Sequence, residues 1–427
     1  MHFRSEPQIQ IEPIGAGAAT PLNLLDEQNF CGRIERQLRE NILPFWIRHA
    51  RTNEPQFFHG EIDSDLRPIT DAPRSSILSS RIMWAFSAAY RRYQDPSYLA
   101  MATAANQDLE RNFWDQEHAG LYWSISPAGA PLESRKQIYA QAFGIYGWSE
   151  LYLATGDRSA LDRAIALYRL IELHGRDREF GAYFNDCGRA WNLLGRSAPA
   201  IMGPIADKSQ NTLLHVLEAY SNLLRAWPEA GLRRDLRALI ETLLDRLLDA
   251  RTHHLRMYVD ADWTPAVNSV SYGHDIEFSW LLVEAAELLA EHDLLDHAKR
   301  QALAIATVTL KEGVDEDGGM FQHGTTAGVE DFQKEWWVQA EAAVGFLNAF
   351  EISNDAAFRT AALRTWNFIE AHFVDRVHGE WFCRLTRERQ PIRSEPKIGF
   401  WKCPYHNVRA CLELSRRLRA LELSQAR

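Results

Sequence analysis

A recurring pair of bulky apolar residues, set in a short polar stretch between helical segments, is the feature that most restricts how this chain can fold. The pair occurs six times, and the second members of successive pairs are 65, 61, 74, 63 and 61 residues apart. A period of this size is typical of architectures that repeat one supersecondary unit. The six pairs are Phe57-Phe58, Tyr122-Trp123, Tyr183-Phe184, Met257-Tyr258, Met320-Phe321 and Trp381-Phe382.

Between these pairs the apolar residues recur with helical spacing, which predicts twelve amphipathic helices, two for each repeat. Six helical hairpins, each with a short β-hairpin, indicate an all-α (α/α)6 barrel with β-hairpins at the mouth of a central cavity. An open stack of repeats would require polar capping units at its ends, and none is evident. The predicted helices span 28–42, 76–93, 96–114, 136–155, 158–173, 209–226, 232–250, 276–292, 294–313, 333–350, 354–374 and 404–423.

The repeats predict a single domain over residues 26–427, preceded by a flexible segment over 1–25. That first segment is polar, is interrupted by Pro and Gly, and lacks the apolar core of a signal peptide. The period has one long interruption at 174–208, which is rich in Gly, Ala and Pro. Loops of this length are more often functional than idle. We therefore expect it to form a lid or a rim that selects the substrate.

Charge and cysteine content restrict the class of protein. A net charge of -10 without a basic block disfavours nucleic acids and anionic membranes as partners, and no apolar run reaches the roughly 20 residues that cross a bilayer. Five scattered cysteines without a CxxC pair are typical of a reduced, cytoplasmic protein. The 14 Trp, 13 Tyr and 20 Phe fit a large helical core or a carbohydrate cleft, and composition alone favours the core.

Three histidines lie near the starts of different predicted inner helices: His215, His274 and His406. A lone histidine on a helix is more often structural, so the prediction depends on the combination. In a closed ring these helix starts converge on one cavity, which is the usual place for a small-molecule site. A side chain with a pKa near 6.5 can remove and return a proton beside a carbonyl at neutral pH.

Two other chemistries compete with a histidine pair. Three histidines with Glu277 or Asp275 could bind Zn²⁺, but the chain has no HExxH motif and no ligand pair at the i, i+4 spacing. A glycoside hydrolase would depend on two carboxylates, for which Asp275, Glu277, Glu335 and Glu341 are candidates. The stronger clusters centre on histidines, so we expect proton transfer without a metal or another cofactor.

Seven segments, spread over almost the whole chain, follow a known family pattern: NILPFW (41–46), SSRIMWAFSAAYRRY (79–93), KQIYAQAFGIYG (136–147), NTLLHVLEAY (211–220), GHDIEFSWLL (273–282), KEWWVQAEA (334–342) and WKCPYHNVR (401–409). In these segments the chain resembles the N-acylglucosamine 2-epimerase superfamily, and most closely its cellobiose 2-epimerases. The resemblance implies an (α/α)6 barrel and an isomerase that interconverts glucose and mannose configurations at C2 through an enediolate. It also implies a small-molecule sugar as the partner.

The resemblance implies a role for each matching residue. His274 and His406 resemble the pair that takes and returns the proton at C2, and His215 resembles a third essential histidine near the ring oxygen. Arg81 resembles the cation that holds the enediolate oxygen. Glu277, one turn after His274, is expected to set the tautomer of that ring. The residues expected to contact the sugar are Tyr139, Asn211, Glu277, Trp337 and Trp401.

Three positions depart from the pattern of the disaccharide epimerases. Leu213 stands in place of a histidine, a Gly/Pro-rich run around Gly203 in place of a loop acid, and His323 in place of an acid in the fifth hairpin. The resemblance implies that, in the family, these loop acids contact the second sugar of a disaccharide. A free hexose, such as mannose or glucose, and the reducing end of a β-1,4 disaccharide therefore both stay open as substrates.

Three alternative functions also stay open at this point. An aldose–ketose isomerase would return the proton to C1 and convert mannose to fructose on the same fold. A glycoside hydrolase or lyase on the same barrel would depend on carboxylates. A non-catalytic carbohydrate-binding protein is disfavoured by the retained histidines and Arg81. Fold alone does not distinguish among these activities.

Overall fold

The computed structural model describes residues 29–52, 57–194, 200–325 and 327–425. Helices make up most of these ranges, and no strand within them exceeds three residues. The all-α prediction is therefore confirmed. The expected flexible segment over 1–25 lies outside the described residues, and the single domain over 26–427 stays a prediction.

Two concentric sets of helices build the barrel. The inner helices are α3 (Ser76–Tyr93), α5 (Ile138–Thr155), α7 (Gln210–Ala226), α9 (Tyr272–Leu289), α11 (Trp336–Ser353) and α13 (Tyr405–Gln425). Each inner helix packs against the next, and α13 packs against α3. The outer helices are α1 (Phe30–Arg36), α2 (Leu43–His49), α4 (Pro96–Asp108), α6 (Arg158–Leu170), α8 (Ala230–Thr242), α10 (His292–Glu312) and α12 (Ala356–Phe368). Single π-helical segments join α1 to α2 and extend four other outer helices: Gln37–Ile42, Leu109–Phe113, Ile171–Gly175, Leu243–Leu247 and Ile369–Phe373.

All twelve predicted helical segments are present, and two of them differ by more than three residues at one end. The first continues to His49, because the π-helical turn Gln37–Ile42 carries the helix past Pro44, which stands in the first turn of α2. The helix predicted from 276 begins at Tyr272, because the side chain of Ser271 caps it. His274 therefore lies inside the first turn of α9.

Short strands link neighbouring repeats at one end of the barrel. The strand before an inner helix pairs antiparallel with the hairpin of the next repeat: β1 (Arg74–Ser75) with β2 (Ser124–Ile125), β4 (Lys136–Gln137) with β5 (Asp186–Cys187), β6 (Lys208–Ser209) with β7 (Tyr258–Val259), β8 (Val270–Ser271) with β9 (His323–Thr325), and β11 (Lys334–Glu335) with β12 (Arg384–Leu385). β3 (Pro131–Glu133) and β10 (Gly328–Val329) extend two of these sheets. A bridge between Ile398 and Ile62 joins the last repeat to the first. The ring that the period predicts is thus closed.

The inner helices are buried on nearly every side because the outer ring covers them. In α5 every residue from Ile138 to Leu151 is buried. Gly147 lets α5 approach α3 closely, since a Cβ atom there would lie 2.9 Å from the carbonyl oxygen of Ser80. No helix in the described ranges combines the length and apolarity that a bilayer crossing demands.

Serine side chains fix where three inner helices begin. Ser75, Ser209 and Ser271 each accept a hydrogen bond from the backbone N–H three residues later, which satisfies one of the free donors of a helix start. The equivalent positions before α5 and α11 are occupied by Gln137 and Glu335, whose side chains make no such bond. The helix starts, and the side chains on their first turns, are thereby held at the hairpin end of the barrel.

A buried charged cluster ties the start of α9 to its surroundings. His254 Nδ1 lies 2.8 Å from Asp275 Oδ2, and His254 Nε2 lies 3.1 Å from Glu312 Oε2. Burial disfavours the charged ring, but the bonds to Asp275 and Glu312 outweigh it and raise the pKa of His254 above 6.5. Asp275 also accepts from the Leu255 N–H. Asp275 thus serves the fold on the side of α9 away from the barrel axis.

We expect His254→Gln to lower the free energy of unfolding by about 1–2 kcal/mol at mildly acidic pH, because a charged hydrogen-bonded pair is lost. A histidine with a raised folded pKa contributes stability that is complete below the unfolded pKa and is lost as the pH rises through the folded pKa. The difference between the two proteins should therefore shrink toward alkaline pH. Urea unfolding from about pH 5.5 to 9 checks this, with exposed His292→Gln as the control. A difference that does not change with pH would contradict a charged His254.

Candidate active site

The hairpin end of the barrel opens into a cavity of about 470 Å³. All nine residues that the sequence assigns to the site line this cavity: Arg81, Tyr139, Asn211, His215, His274, Glu277, Trp337, Trp401 and His406. They come from the first two turns of the inner helices and, for Trp401, from the loop that precedes α13. The rest of the lining consists of Ile201, Met202, Gly203, Gln322, Glu335, Trp336, Cys383, Arg384 and Glu395.

His406, on the first turn of α13, is held by a carboxylate. Its Nδ1 lies 2.7 Å from Glu341 Oε1. An ionised carboxylate only accepts hydrogen bonds, so Nδ1 carries the hydrogen and Nε2 keeps its lone pair. Burial, together with Arg81 and Arg409, holds the pKa of His406 well below 6.5. The ring is therefore neutral at pH 7 and has the form of a general base.

His274 has a different partner from the one its sequence neighbours suggest. Its Nδ1 lies 2.7 Å from the Ser271 hydroxyl, which also caps α9. The expected bond from Glu277 is wrong: that carboxylate faces the barrel axis and bonds to Arg409. A hydroxyl can donate or accept, so His274 can adopt either tautomer. Burial and the neighbouring His215 hold the pKa of His274 well below its usual 6.5.

His215 forms a second histidine–carboxylate pair. Its Nδ1 lies 3.0 Å from Glu218 Oε2, one turn further along α7. Burial lowers the pKa of His215 to about 4 despite this carboxylate. The cavity therefore contains three neutral imidazoles, of which His215 and His406 are buried and His274 is partly buried.

One guanidinium connects the carboxylates that surround these rings. Arg409, on α13, bonds to Glu218, Glu277 and Glu341, which come from three other inner helices. Burial raises the pKa of Glu277 and Glu341, and Arg409 opposes the shift. Burial also acts on Glu218, but Arg409 and the bond to His215 outweigh it and lower its pKa to about 2. Three carboxyls thus share one buried cation next to the histidines.

Among the described residues, Glu277, Glu341 and His406 have ligand atoms close enough to hold a metal ion, within 4.8 Å of one another. Arg409 donates to both carboxylates of this set. A fixed cation therefore already occupies the side that a metal would need. The donor arrangement fits an internal salt bridge better than a metal centre.

Arg81, on α3, supplies positive charge to the cavity. Its Nη2 donates to the Tyr139 hydroxyl at 2.6 Å, and its Nη1 lies 3.4 Å from Cys403 Sγ. Five buried polar atoms of lining residues have no partner within the described protein: Arg81 Nε, Asn211 Oδ1, Glu277 Oε2, Trp336 Nε1 and Arg384 Nε. Buried polar groups normally find a hydrogen-bond partner. These atoms are suited to receive the hydroxyls of a bound ligand.

Two indoles form the walls of the cavity. The Trp337 ring centroid lies 4.8 Å from that of His274 and 5.3 Å from that of His406. Trp401 is 41% exposed, and its ring centroid lies 5.9 Å from that of Tyr139. One wall thus contacts both histidines of the expected acid/base pair, and the other stands at the mouth.

Comparison with known proteins agrees with this geometry. Residues 57–410 match the N-acylglucosamine 2-epimerase (GlcNAc 2-epimerase) family. The chain belongs to the N-acylglucosamine 2-epimerase family. It is 40% identical to a cellobiose 2-epimerase of Bacteroides fragilis, over 89% of this chain and 97% of that protein. It is 36% identical to a cellobiose 2-epimerase of Dictyoglomus turgidum, over 90% and 98%. The chain is accordingly a sugar 2-epimerase, which makes it an isomerase.

Solved structures support the same family. The cellobiose 2-epimerase from Bacillus thermoamylovorans superposes with a TM-score of 0.87 at 37% identity, covering 91% of this chain and 100% of that one. A D-mannose isomerase superposes with a TM-score of 0.79 at 20% identity, over 93% and 100%. This second likeness shows the (α/α)6 barrel alone.

The three departures from the disaccharide-epimerase pattern lie in different places. Leu213 is fully buried in the core of the protein and does not line the cavity. His323 lies on β9, also outside the lining. Gly203 does line the cavity, with a φ of +65°, and a Cβ atom there would lie 2.2 Å from the Tyr258 hydroxyl oxygen. The interruption at 174–208 thus reaches the cavity through Ile201, Met202 and Gly203, as expected of a rim.

Glu218 and Arg409 are absent from the site predicted from the sequence, and Glu341 is only a candidate carboxylate there. A usable signal exists for the first two. Glu218 follows His215 by three positions, and Arg409 follows His406 by three. Residues three apart share a helix face, so these two belong to the cavity side of their helices.

Proposed function

We propose that this epimerase inverts C2 of the glucose unit at the reducing end of a β-1,4-linked disaccharide such as cellobiose, and catalyses the reverse reaction. The observation that carries the proposal is the placement of two neutral histidines, His274 and His406, against one indole, in a cavity that also holds Arg81. Relatives at 36–40% identity are cellobiose 2-epimerases. The cavity volume, about 470 Å³, falls in the roughly 300–1,000 Å³ range of pockets that enclose drug-sized ligands.

The cavity favours a neutral sugar over a phosphorylated one. The cations that line it already have acidic or phenolic partners. Arg384 bonds to Glu335 at 2.6 Å and lies 3.9 Å from Glu395, while Arg81 donates to Tyr139. A phosphate would have to compete with these carboxylates for Arg384, whereas sugar hydroxyls need only single hydrogen bonds.

In the proposed mechanism the ring of the sugar first opens with help from His215 or His406. One of His274 and His406 then takes the C2 proton of the free aldehyde. Arg81 stabilises the resulting enediolate because its charge is fixed in place before the reaction. After rotation about C2–C3, the other histidine takes up a proton from solvent and delivers it to the opposite face of C2, and the first histidine releases the abstracted proton to solvent. Tyr139, Asn211, Glu277, Trp337 and Trp401 hold the sugar.

The lowered histidine pKa values predict the pH dependence of the reaction. A base must be neutral to accept a proton, and both His274 and His406 have a pKa held well below 6.5 by burial. The ratio kcat/KM should therefore stay level as the pH falls through 6.5 and decline only at lower pH. Initial rates from about pH 4 to 9 check this. A half-maximal point near 6.5 would indicate a solvent-exposed histidine as the base.

The substrate is tested with separate incubations of cellobiose, mannobiose, D-mannose, D-glucose and N-acetylglucosamine, followed by product analysis. We expect cellobiose and mannobiose to interconvert with the highest kcat/KM. Faster turnover of the free hexoses would replace the disaccharide with a monosaccharide. A ketose as the main product would indicate an aldose–ketose isomerase, and free glucose from cellobiose would indicate a hydrolase.

We also propose a cytoplasmic location, which the five free cysteines support.

A further inference from the structure

Glu335 departs from what its position in the repeat favours. It is the N-cap residue of α11, the position that Ser75, Ser209 and Ser271 hold before α3, α7 and α9. Those serines cap their helices, whereas the Glu335 side chain makes no capping bond. A capping side chain stabilises a helix start, and Glu335 leaves this contribution unused.

The carboxylate of Glu335 is directed at an indole instead. Its Oε2 accepts from Trp337 Nε1 at 2.7 Å. Its Oε1 accepts from Arg384 Nη2 at 2.6 Å, and the strand register places these two residues directly opposite each other on β11 and β12. With its amide nitrogen toward the carboxylate, Gln322 donates to Oε1 as well, at 2.6 Å. Three donors thus hold a carboxylate that is only 13% exposed.

The indole that Glu335 holds is the wall shared by the histidine pair. Trp337 packs against both His274 and His406. Rotation of the indole would change the surface on which a sugar stacks and the packing of both rings at once. The bond to Nε1 opposes that rotation because it links the edge of the ring to a fixed carboxylate.

We propose that Glu335 is a positioning residue for epimerisation: it forgoes capping α11 in order to fix the indole plane of Trp337 against the two histidines, and thereby orients the sugar for proton transfer at C2. Its kinetic consequence rests on the proposed function. Its bond to the indole does not, so the two can be tested separately.

Glu335→Ser separates positioning from stability. The serine restores the cap found in three other repeats, which offsets part of the loss of the three hydrogen bonds to the carboxylate, so the melting temperature should change little. The ratio kcat/KM should fall about tenfold to a hundredfold, which is the range for losing a hydrogen bond to a charged group. A residue that served only the fold would lose activity and stability together, and that result would overturn the proposal.

Gln137→Ser is the matched control. Gln137 is the N-cap of α5, and its side chain bonds to Asp186 directly across the β4–β5 pair, as Glu335 bonds to Arg384 across β11–β12. Gln137 does not line the cavity that holds the histidines. The same gain of a cap there should leave kcat/KM unchanged.

Trp337→Phe keeps an aromatic wall and removes the N–H donor. If Glu335 acts through this donor, adding Glu335→Ser to Trp337→Phe should cause little further loss of kcat/KM. If the two losses multiply instead, Glu335 acts by another route and the proposal is wrong.

The Trp337 indole N–H resonance in a ¹⁵N-correlated NMR spectrum gives a readout without turnover. The resonance is assigned in the unmodified protein as the one that disappears in Trp337→Phe. In Glu335→Ser this resonance should shift, and its proton should exchange faster with water. An unchanged resonance would overturn the proposal. If no sugar is epimerised by any variant, the proposed function fails, while this resonance still decides whether Glu335 holds the indole.

Discussion

His406→Ala should lower kcat by roughly 10²–10⁴-fold, the usual contribution of a general acid or base, and His274→Ala should do the same. Neither ring is a main support of the fold: each lies on the first turn of its helix and faces the cavity. Circular dichroism and the melting temperature should therefore stay close to those of the starting protein. Rates of epimer formation with each sugar measure the effect.

The two histidine variants should also differ from each other in isotope exchange. If one histidine serves each face of C2, a variant that lacks one base still exchanges the C2 hydrogen of one epimer with solvent while forming little of the other epimer. His292→Ala, an exposed substitution on α10, is the control for both. Near-normal activity of both variants on every epimerisable sugar would show that the histidine pair is wrongly assigned.

Arg409→Met should destabilise the protein by about 3–5 kcal/mol and abolish activity. The guanidinium is 2% exposed and is the shared partner of Glu218, Glu277 and Glu341. Removing one member of a buried ionic network leaves uncompensated charge in a medium of low polarity, which accounts for this magnitude. The activity falls because Glu218 and Glu341 orient the rings of His215 and His406.

Urea unfolding of Arg409→Met beside Arg416→Met measures this effect. Arg416 lies on the same helix, but its side chain is 62% exposed and pairs with Glu413, so its loss should change stability by less than about 1 kcal/mol. Equal stability of the two variants would mean that the three carboxyls are protonated or hydrated in solution and do not depend on Arg409.

The architecture was accessible from the sequence because its signal is local and repeated. Six apolar pairs at a near-constant period and two helical patterns between each pair specify the units, and short connections leave few ways to arrange them. The sequence has no polar end units, which predicts a closed ring of repeats. The bridge between Ile62 and Ile398 closes this ring. The start of α9 was placed too late because the capping by Ser271 depends on one side chain and not on periodicity.

The nine predicted site residues come from family segments and from helix starts, and all nine line the cavity, but their hydrogen-bond partners could not be predicted. Arg409 meets Glu218 across 191 positions of sequence and Glu277 across 132, and no helical spacing encodes such contacts. The same reason explains the error at Glu277. Spacing places it one turn from His274, but a buried cation from a different helix attracts its carboxylate more strongly than a neutral ring does.

In the proposed mechanism, C2 is inverted by proton transfer between the protein and the sugar. The most direct test follows cellobiose in D₂O by proton NMR, with the protein and a chelator present. Proton transfer by the histidine pair predicts the mannose-configured epimer with deuterium at C2, formed at the same rate with and without the chelator. An epimer that keeps its original hydrogen at C2, or no epimer from any of the five sugars, would contradict it.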